Sequence, residues 1–353
     1  MIPHVDDADF RLYVGDVREV LPQLPDESVD CIATSPPFYA LRDYGVDGQI
    51  GLEATPEEWA SELVAVFREC RRLLKPTGTL WVECGDSYCS NVQGAGQPNE
   101  GHVPNAWQGR DGELRTKGPA GNTPMRHPTK PKDLLGQPWL LAFALRADGW
   151  WLRQAIIWHK PNAMPESATD RCTTAHSYVF LLSKQARYHF DAEAIAEPAE
   201  WARWGDQTVP KHEGTPTASG WIKPKTKEQI RAIDGYSRRR GADHRDARVD
   251  LKGERLPDDV RCRADGTKNA RSVWSIPTQG YPEAHFATWP EALVERILKA
   301  GCPDGGTVLD PFMGSGTTAL VARRLGLRSV GVELNEEYAA LCARRLQQQS
   351  LFA

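Results

Sequence analysis

The sequence predicts an α/β fold with a doubly wound, mostly parallel sheet. Short apolar segments alternate along the chain with amphipathic segments of helical period, and this alternation is typical of parallel sheets covered by helices. One apolar segment, residues 29–33, ends abruptly before two consecutive prolines. Another, residues 307–310, is followed by a glycine-rich turn and a helix start. In open α/β sheets, ligands bind at such strand ends.

Seven segments are predicted as strands because they are short, apolar and bounded by turn residues. In chain order they are residues 11–16, which end in a turn, and residues 29–34, 78–84, 151–158, 178–183, 307–310 and 328–333. Apolar residues spaced by three and four predict helices over residues 56–74, 134–147, 290–299, 317–325 and 336–347. Thr55 and Pro56, followed by two glutamates, form a helix start, and Pro76 follows the end of that helix.

Composition limits the class of protein. The chain has 353 residues, 40% of them hydrophobic, and a formal net charge of −4. This length can bury a large core, and the charge argues against a nucleic-acid binder that is basic throughout. The eight cysteines are scattered without a CxxC spacing, which disfavours a zinc site or a disulfide framework. We expect a cytoplasmic protein without a membrane span, since no apolar run approaches about 20 residues.

Two long segments interrupt the alternation of strands and helices. Residues 87–133 are rich in Gly, Asn, Gln and Pro and are predicted to form a long mobile loop. Residues 192–272 are polar, and positions 221–271 carry 15 Lys or Arg against 9 Asp or Glu. The arginine run at 238–240, with Trp and Tyr residues nearby, suits phosphate contact and base reading. The competing interpretation is a charged insertion without a fixed structure.

The strand that ends in prolines presents Ser35, Pro36, Pro37 and Phe38. Proline lacks a backbone N–H group and cannot continue a central strand, so the chain must leave the sheet here in a rigid loop. Such a loop offers a hydroxyl group, carbonyl oxygens and an aromatic ring. These are the groups required to bind a planar ring that carries an amine.

The glycine-rich turn contains Gly314 and Gly316, which allow a positive φ and a close approach to a ligand. The helix that follows offers unpaired N–H groups at its N-terminus. The next strand ends in Glu333, an acid about twenty residues beyond the glycines, where doubly wound folds bind ribose hydroxyls. The combination indicates an adenosine site. A turn that needs glycine only for its geometry is the alternative, whereas the missing Gly-Lys-Ser/Thr sequence disfavours a phosphate loop.

Together, the two motifs resemble those of DNA amino-methyltransferases that use S-adenosylmethionine. The segment from Asp310 to Gly316 looks like the cofactor motif of that family, and Ser35 to Phe38 looks like its catalytic motif. The catalytic motif comes first, and the cofactor motif follows about 275 residues later. This order is similar to that of the circularly permuted β group of the family.

The resemblance implies a seven-stranded, Rossmann-like methyltransferase sheet that is circularly permuted and carries an inserted target-recognition region. It divides the chain into a catalytic half at residues 1–191, a target-recognition region at 192–272 and a cofactor-binding half at 273–353. It assigns catalysis to Ser35, Pro36, Pro37 and Phe38. It assigns DNA binding to Tyr39, Arg238, Arg239 and Arg240, and cofactor binding to Asp16, Thr34, His285, Asp310, Phe312, Gly314, Gly316, Thr317 and Glu333. No metal is implied.

The implied activity is transfer of a methyl group to the exocyclic amine of a base flipped out of double-stranded DNA. Ser35 stands where aspartate is often found in this motif, which favours cytosine N4, with adenine N6 as the alternative. Two other classes stay open: a transferase acting on RNA or on protein amide nitrogen, and a catalytically silent DNA-binding module. A homodimer and a cognate restriction endonuclease are further candidate partners.

Overall fold

The computed structural model describes residues 2–42, 45–89, 106–108, 114–116, 130, 132–198, 267–279 and 289–350. The chain divides into two compact units, Met1–Ile195 with Arg271–Ala353, and Ala196–Ala270. The predicted boundaries at 191 and 272 stay predictions, as does the role of the region between them. Of the predicted site residues, His285, Arg238, Arg239 and Arg240 lie outside the described residues.

The described residues form thirteen strands. They are β1 (Val5–Asp6), β2 (Phe10–Val14), β3 (Val29–Thr34), β4 (Leu74–Cys84), β5 (Ala106–Gln108), β6 (Leu114–Thr116), β7 (Trp151–His159), β8 (His176–Ser183), β9 (Glu197–Pro198), β10 (Thr267–Lys268), β11 (Val273–Ser275), β12 (Thr307–Asp310) and β13 (Arg328–Glu333). Nine of them form one sheet in the order β1-β2-β13-β12-β3-β4-β8-β7-β11. Within it, β1 and β8 run antiparallel to their neighbours, and the other adjacent pairs are parallel.

All seven predicted strands lie in this sheet, which confirms the predicted doubly wound, mostly parallel architecture. The sheet also contains β1 and β11, which the sequence does not predict. Strands of two and three residues are too short to show an alternation of apolar and polar residues. For the same reason, the sequence does not reveal the antiparallel pair β5 and β6 within the segment predicted as a long loop.

The helices of the described residues are α1 (Val17–Val20), α2 (Pro56–Leu73), α3 (Gln137–Ala147), α4 (Glu291–Gly301), α5 (Thr317–Arg324) and α6 (Glu336–Ser350). They lie in two layers, one on each face of the sheet. Buried residues of α1, α2 and α3 share one core with β3 and β4, and buried residues of α5 and α6 share another with β2. Leu12 and Tyr13, neighbours on β2, belong to different cores because successive side chains of a strand point to opposite faces. No helix of the described residues is long and apolar enough to cross a membrane.

The direction of the chain's crossovers changes between β3 and β12. From β3 the chain continues through α2 to β4 on one side, and from β12 it continues through α5 to β13 on the other. In the sheet itself, Leu309 of β12 pairs in parallel register with Ile32 of β3. The carboxyl ends of the two strands therefore lie side by side, at the kind of switch point where α/β sheets bind ligands.

Candidate active site

A cavity of about 430 Å³ opens at the carboxyl ends of these strands. It is lined by the turn after β2, the loop after β3, the turn after β12 and the end of β13. Among the described residues, it brings together most of the predicted site residues, namely Asp16, Ser35, Pro36, Pro37, Phe38, Phe312, Gly314, Thr317 and Glu333. Four others that were predicted do not line it, namely Thr34, Tyr39, Asp310 and Gly316.

The Ser35 hydroxyl group at one end of the cavity donates a hydrogen bond of 2.7 Å to Oε2 of Glu83, the penultimate residue of β4. Glu83 is 4% exposed and lines the cavity. Burial raises the pKa of Glu83 above its usual value, while the charge of Lys160 and hydrogen bonds from Ser35 and Ser177 oppose that rise. Ser35 is therefore held by a buried carboxyl group that the sequence analysis did not single out.

The loop of the two prolines is anchored to the protein on its far side. Nε1 of Trp59, on α2, donates a hydrogen bond of 2.9 Å to the carbonyl oxygen of Pro37. The ring of Phe38 lies against Gly85, where a Cβ atom would come within 3.0 Å of the ring. A side chain at position 85 would therefore press on Phe38, so glycine leaves room for the ring beside Ser35.

Tyr39, which was predicted to bind DNA, lies in the interior of the protein. Its side chain is 0% exposed, and its hydroxyl group donates a hydrogen bond of 3.1 Å to the carbonyl oxygen of Ala54. Burial raises the pKa of Tyr39 to about 12. The ring packs in the core that α2 shares with β3 and β4, and a contact of Tyr39 with DNA stays a prediction. An aromatic residue next to a functional one is hard to assign from sequence, because packing and stacking both use the ring.

At the opposite end, Glu333 joins the two strands of the predicted adenosine site. Its Oε2 accepts a hydrogen bond of 2.7 Å from the backbone N–H of Gly314, and its Oε1 accepts one of 2.9 Å from that of Asn335. Burial raises the pKa of Glu333, although these backbone hydrogen bonds oppose it. Each carboxylate oxygen has a second lone pair, so the group can also accept hydrogen bonds from a pair of hydroxyls.

Asp16 reaches the same end of the cavity from the turn after β2. The backbone N–H of Gly15 binds the carbonyl oxygen of Glu333 at 2.9 Å, which places the two acids side by side. Asp16 caps α1 and accepts hydrogen bonds from Arg18, the shortest of them 2.6 Å. Partial burial raises the pKa of Asp16, but the hydrogen bonds and charge of Arg18 outweigh it and the net pKa is lowered. Arg18 also donates to the carbonyl oxygen of Gly48, in the loop that covers this end.

Thr34 and Asp310 lie below the cavity and bind each other. The Thr34 hydroxyl donates to Oδ1 of Asp310 at 2.7 Å, and the Thr318 hydroxyl donates to Oδ2 at 2.5 Å. The backbone N–H of Phe312 donates to the same carboxyl group at 3.1 Å. Burial raises the pKa of Asp310 to about 6, against these hydrogen bonds. Asp310 thus joins the end of β3 to the turn after β12 and to the start of α5.

The two glycines of the turn are required for different reasons. Gly314 has a φ of +54° with open space around its Cα hydrogens, so its requirement is conformational. Gly316 has a φ of +84° and starts α5, and a Cβ atom there would lie 2.4 Å from Sγ of Cys342 on α6. Gly316 therefore allows close packing of two helices below the site.

The sequence analysis identified neither Glu83 nor Lys160 as a residue of this cavity. In the sequence, Glu83 is a single charged residue in an apolar strand, and Lys160 is a lysine directly before a proline. Neither context indicates a site residue. An acid at the penultimate position of a buried strand was the available signal, because an ionised carboxyl group is rarely buried without a partner. The identity of that partner depends on which strands are neighbours.

The fold and the cavity suit an α/β protein that binds its ligand at the carboxyl ends of the strands, where a hydroxyl group, a buried carboxyl group and an aromatic ring line one end. Comparison with known proteins gives the family. The profile of the N6/N4 methyltransferases, described as DNA methylase, matches residues 29–344. The chain belongs to this DNA methylase family.

Individual relatives agree with this assignment. The chain is 39% identical to the type II methyltransferase M.SmaI of Serratia marcescens over 95% of this chain and 90% of that protein. It is 36% identical to the type II methyltransferase M.Cfr9I of Citrobacter freundii over 95% of this chain and 87% of that protein. The solved structure of the PvuII DNA methyltransferase, described as cytosine-N4-specific, shares the fold with a TM-score of 0.58 at 18% identity, over 97% of this chain and 88% of that one.

Membership of the family confirms three predictions made from the sequence. They are the Rossmann-like methyltransferase fold, amino-methyltransferase activity on DNA, and S-adenosylmethionine as the cofactor. The groups that line the cavity are suited to this cofactor. Two acids, Asp16 and Glu333, lie at the predicted adenosine end, and the turn that contains Gly314 lies next to them. The roles of individual residues and the identity of the base are proposals.

Proposed function

We propose that this chain methylates N4 of a cytosine that is flipped out of a specific DNA sequence. The observation that carries the proposal is the Ser35 hydroxyl group, which lies at the switch point beside the cofactor turn and is held by Glu83 at 2.7 Å. When bound, S-adenosylmethionine supplies an electrophilic methyl group on a sulfonium. Glu333 and Asp16 would hold its ribose and adenine, while Phe312 and Thr317 would border its methionine end.

The amine of an aromatic base is a poor nucleophile because its lone pair is delocalised into the ring. Ser35 Oγ and the Pro36 carbonyl oxygen would each accept one N–H hydrogen bond and draw the nitrogen toward tetrahedral geometry. The lone pair then becomes available to the methyl group, and Phe38 holds the base plane by stacking. Most of the acceleration would come from this positioning.

The methylated amine must lose one proton for the product to be neutral. Transfer of the methyl group to nitrogen would leave the electron pair of the C–S bond on sulfur, and one proton would then leave the nitrogen. That proton can pass to Ser35 Oγ while the proton of Ser35 passes to Oε2 of Glu83. The 2.7 Å hydrogen bond between these two atoms supports such a transfer.

The choice of cytosine rests on Ser35 in the position where aspartate is often found. The PvuII methyltransferase is described as specific for the same base, but the likeness to it concerns the fold. Mass spectrometry of nucleosides from DNA treated with the enzyme tests the choice. We expect N4-methylcytosine; N6-methyladenine without N4-methylcytosine would establish the alternative. DNA without any methylated base, from a chain that does not bind S-adenosylmethionine in calorimetry, would favour the silent binding module.

We also propose that residues 192–272 recognise the target sequence. The support is their charge, since positions 221–271 have six more Lys and Arg than Asp and Glu. Replacing Arg238, Arg239 and Arg240 together by glutamine in the full-length chain should weaken DNA binding and reduce its dependence on salt, because fewer counterions are released. Cofactor binding should not change. Unaltered DNA affinity at every salt concentration would count against this role.

The relatives named type II methyltransferases suggest a biological partner. We propose that the enzyme works in the cytoplasm beside a restriction endonuclease of the same recognition sequence, and that its methylation protects the host DNA. Methylated plasmid that resists one restriction enzyme while control plasmid is cut would support this pairing. The homodimer stays a prediction, which sedimentation of the free enzyme can test.

A further inference from the structure

The end of the cavity that contains Ser35 and Glu83 is called the target end. Lys160 is a second charged residue there, beside Glu83. It follows β7 and donates a hydrogen bond of 2.6 Å from Nζ to Oγ of Ser177, on β8. Its Nζ also lies 4.3 Å from the ring centroid of Trp158. Lys160 and Trp158 both line the cavity. The ammonium group is therefore held between two neighbouring strands, β7 and β8, instead of extending into solvent.

Ser177 connects this lysine to the reaction centre. Glu83 interacts with the Ser177 hydroxyl, with the charge of Lys160 and with the Ser35 hydroxyl. Ser177 is 2% exposed and Glu83 is 4% exposed, so solvent screens these interactions little. Four side chains from four strand ends thus form one connected chain from Lys160 to Ser35.

The charge of Glu83 decides what Ser35 can do. A carboxylate only accepts hydrogen bonds, so it takes the Ser35 proton and leaves the lone pairs of Oγ facing the cavity. A protonated carboxyl group can itself donate, and the Ser35 hydrogen can then point into the cavity, where it competes with the N–H groups of the base. Ser35 is thus an acceptor for the amine when Glu83 is ionised.

We propose that Lys160 is a positioning residue for methyl transfer: its charge, together with the bridging Ser177, keeps Glu83 ionised, so that Ser35 stays a hydrogen-bond acceptor for the target amine. This inference rests on the proposed function of Ser35. Lys160 acts through Glu83 and does not need to touch the base.

The other titratable groups next to Glu83 in the chain do not favour its ionised form. Cys84 and Asp86 follow Glu83 in the chain, and burial raises the pKa of both. Asp86, if ionised, disfavours a second negative charge, and it faces His176 of β8. Burial lowers the pKa of Lys160 itself, against the attraction of Glu83. Among the groups that act on Glu83, Lys160 is therefore the cation that favours its ionised form.

The test is the pH dependence of methylation by Lys160→Met, with Lys160→Arg as the charge-preserving variant and Lys299→Met on α4 as a remote control. Without the ammonium group, the pKa of Glu83 rises, and the acidic limb of the kcat profile should move upward by about 1–3 pH units. The activity lost near neutral pH should return at higher pH. Lys160→Arg should restore the profile, and Ser177→Ala should move it in the same direction as Lys160→Met.

Calorimetry with S-adenosylmethionine serves as a second measurement, and its affinity should be unchanged in each variant. An acidic limb that stays in place, or a higher KM for DNA with an unchanged kcat profile, would overturn the proposal. If Lys160→Met misfolds and loses cofactor binding, the position of the acidic limb in the kcat profile of Ser177→Ala tests the proposal instead. Wild-type enzyme that methylates adenine would refute the cytosine assignment but leave this test intact, because both amines need the same acceptor.

Discussion

The two ends of the cavity each contain a glutamate, Glu83 buried and Glu333 partly buried, but the partners of the two acids differ. Glu333 is held by the backbone N–H groups of Gly314 and Asn335, at 2.7 and 2.9 Å. Glu83 is held by the hydroxyl group of Ser35 and faces Lys160. Backbone amides cannot change their protonation, so they suit a binding site of constant charge. Hydroxyl and ammonium groups can exchange protons, so they suit the end where an amine must lose one.

The strongest test of this comparison removes the hydroxyl group from the target end. Ser35→Ala should lower kcat by about 10²–10⁴-fold, the range typical of a lost acid–base group, and leave the Kd for S-adenosylmethionine unchanged. Single-turnover methylation and calorimetry measure the two quantities. Ser28→Ala, outside the cavity, is the matched control. A parallel loss of cofactor affinity would show that the two ends do not act separately.

A second test concerns Asp310, which joins the two ends. Its pKa in the folded protein is about 6, above the ordinary value of 3.8, so the folded state binds a proton more tightly than the unfolded chain. That contribution to stability is complete below pH 3.8 and is lost as pH rises to about 6, by about 3 kcal/mol in total.

Urea unfolding of wild type and Asp310→Asn between pH 4.5 and 7 measures this contribution. The free energy of unfolding of wild type, taken relative to the variant, should fall as pH rises. Asp304→Asn, at an exposed position, should follow wild type. A constant difference between wild type and Asp310→Asn across this range would contradict the raised pKa.

The smallest expected effect concerns the cofactor end. In Glu333→Gln, the side-chain NH₂ group would face a backbone N–H donor, and the acceptor for ribose hydroxyls would be weakened. We expect the Kd for S-adenosylmethionine to rise by about 10–100-fold. At saturating cofactor, kcat should stay close to that of wild type, in contrast to Ser35→Ala. Glu295→Gln, in an exposed ion pair on α4, is the control. A large fall in kcat at saturation would place Glu333 in the chemical step.

Local sequence patterns predicted the long elements of the fold well. The strand at Val29–Thr34 and the helix that begins at Pro56 have the predicted starts, because a run of apolar residues and a capping threonine act over a few residues. The short edge strands and the pair β5 and β6 were missed, since two or three residues are too few to show an alternation of apolar and polar positions.

In the site, the motifs identified the residues that are required for a particular backbone conformation. They missed the residues whose role depends on side chains from other strands. Gly314 and Pro36 can be found because positive φ and a missing N–H restrict the residue type wherever it occurs. Tyr39 packs in the core and Asp310 binds Thr34 and Thr318, and these contacts could not be predicted from the motifs. The DNA contact of Tyr39 and the cofactor contact of Asp310 stay predictions.

The sequence by itself determined the class of fold, the family and the place where each half of the active site begins. The fold class and the two motifs can be found from the period of the hydrophobic residues and from Pro and Gly, because both restrict the backbone over only a few residues. Only the tertiary structure brought Glu83 to Ser35 and Lys160 to Ser177. The reason is physical: the charge and hydrogen bonding of a buried group depend on the side chains that neighbouring strands place beside it, and no local pattern of residues identifies those side chains.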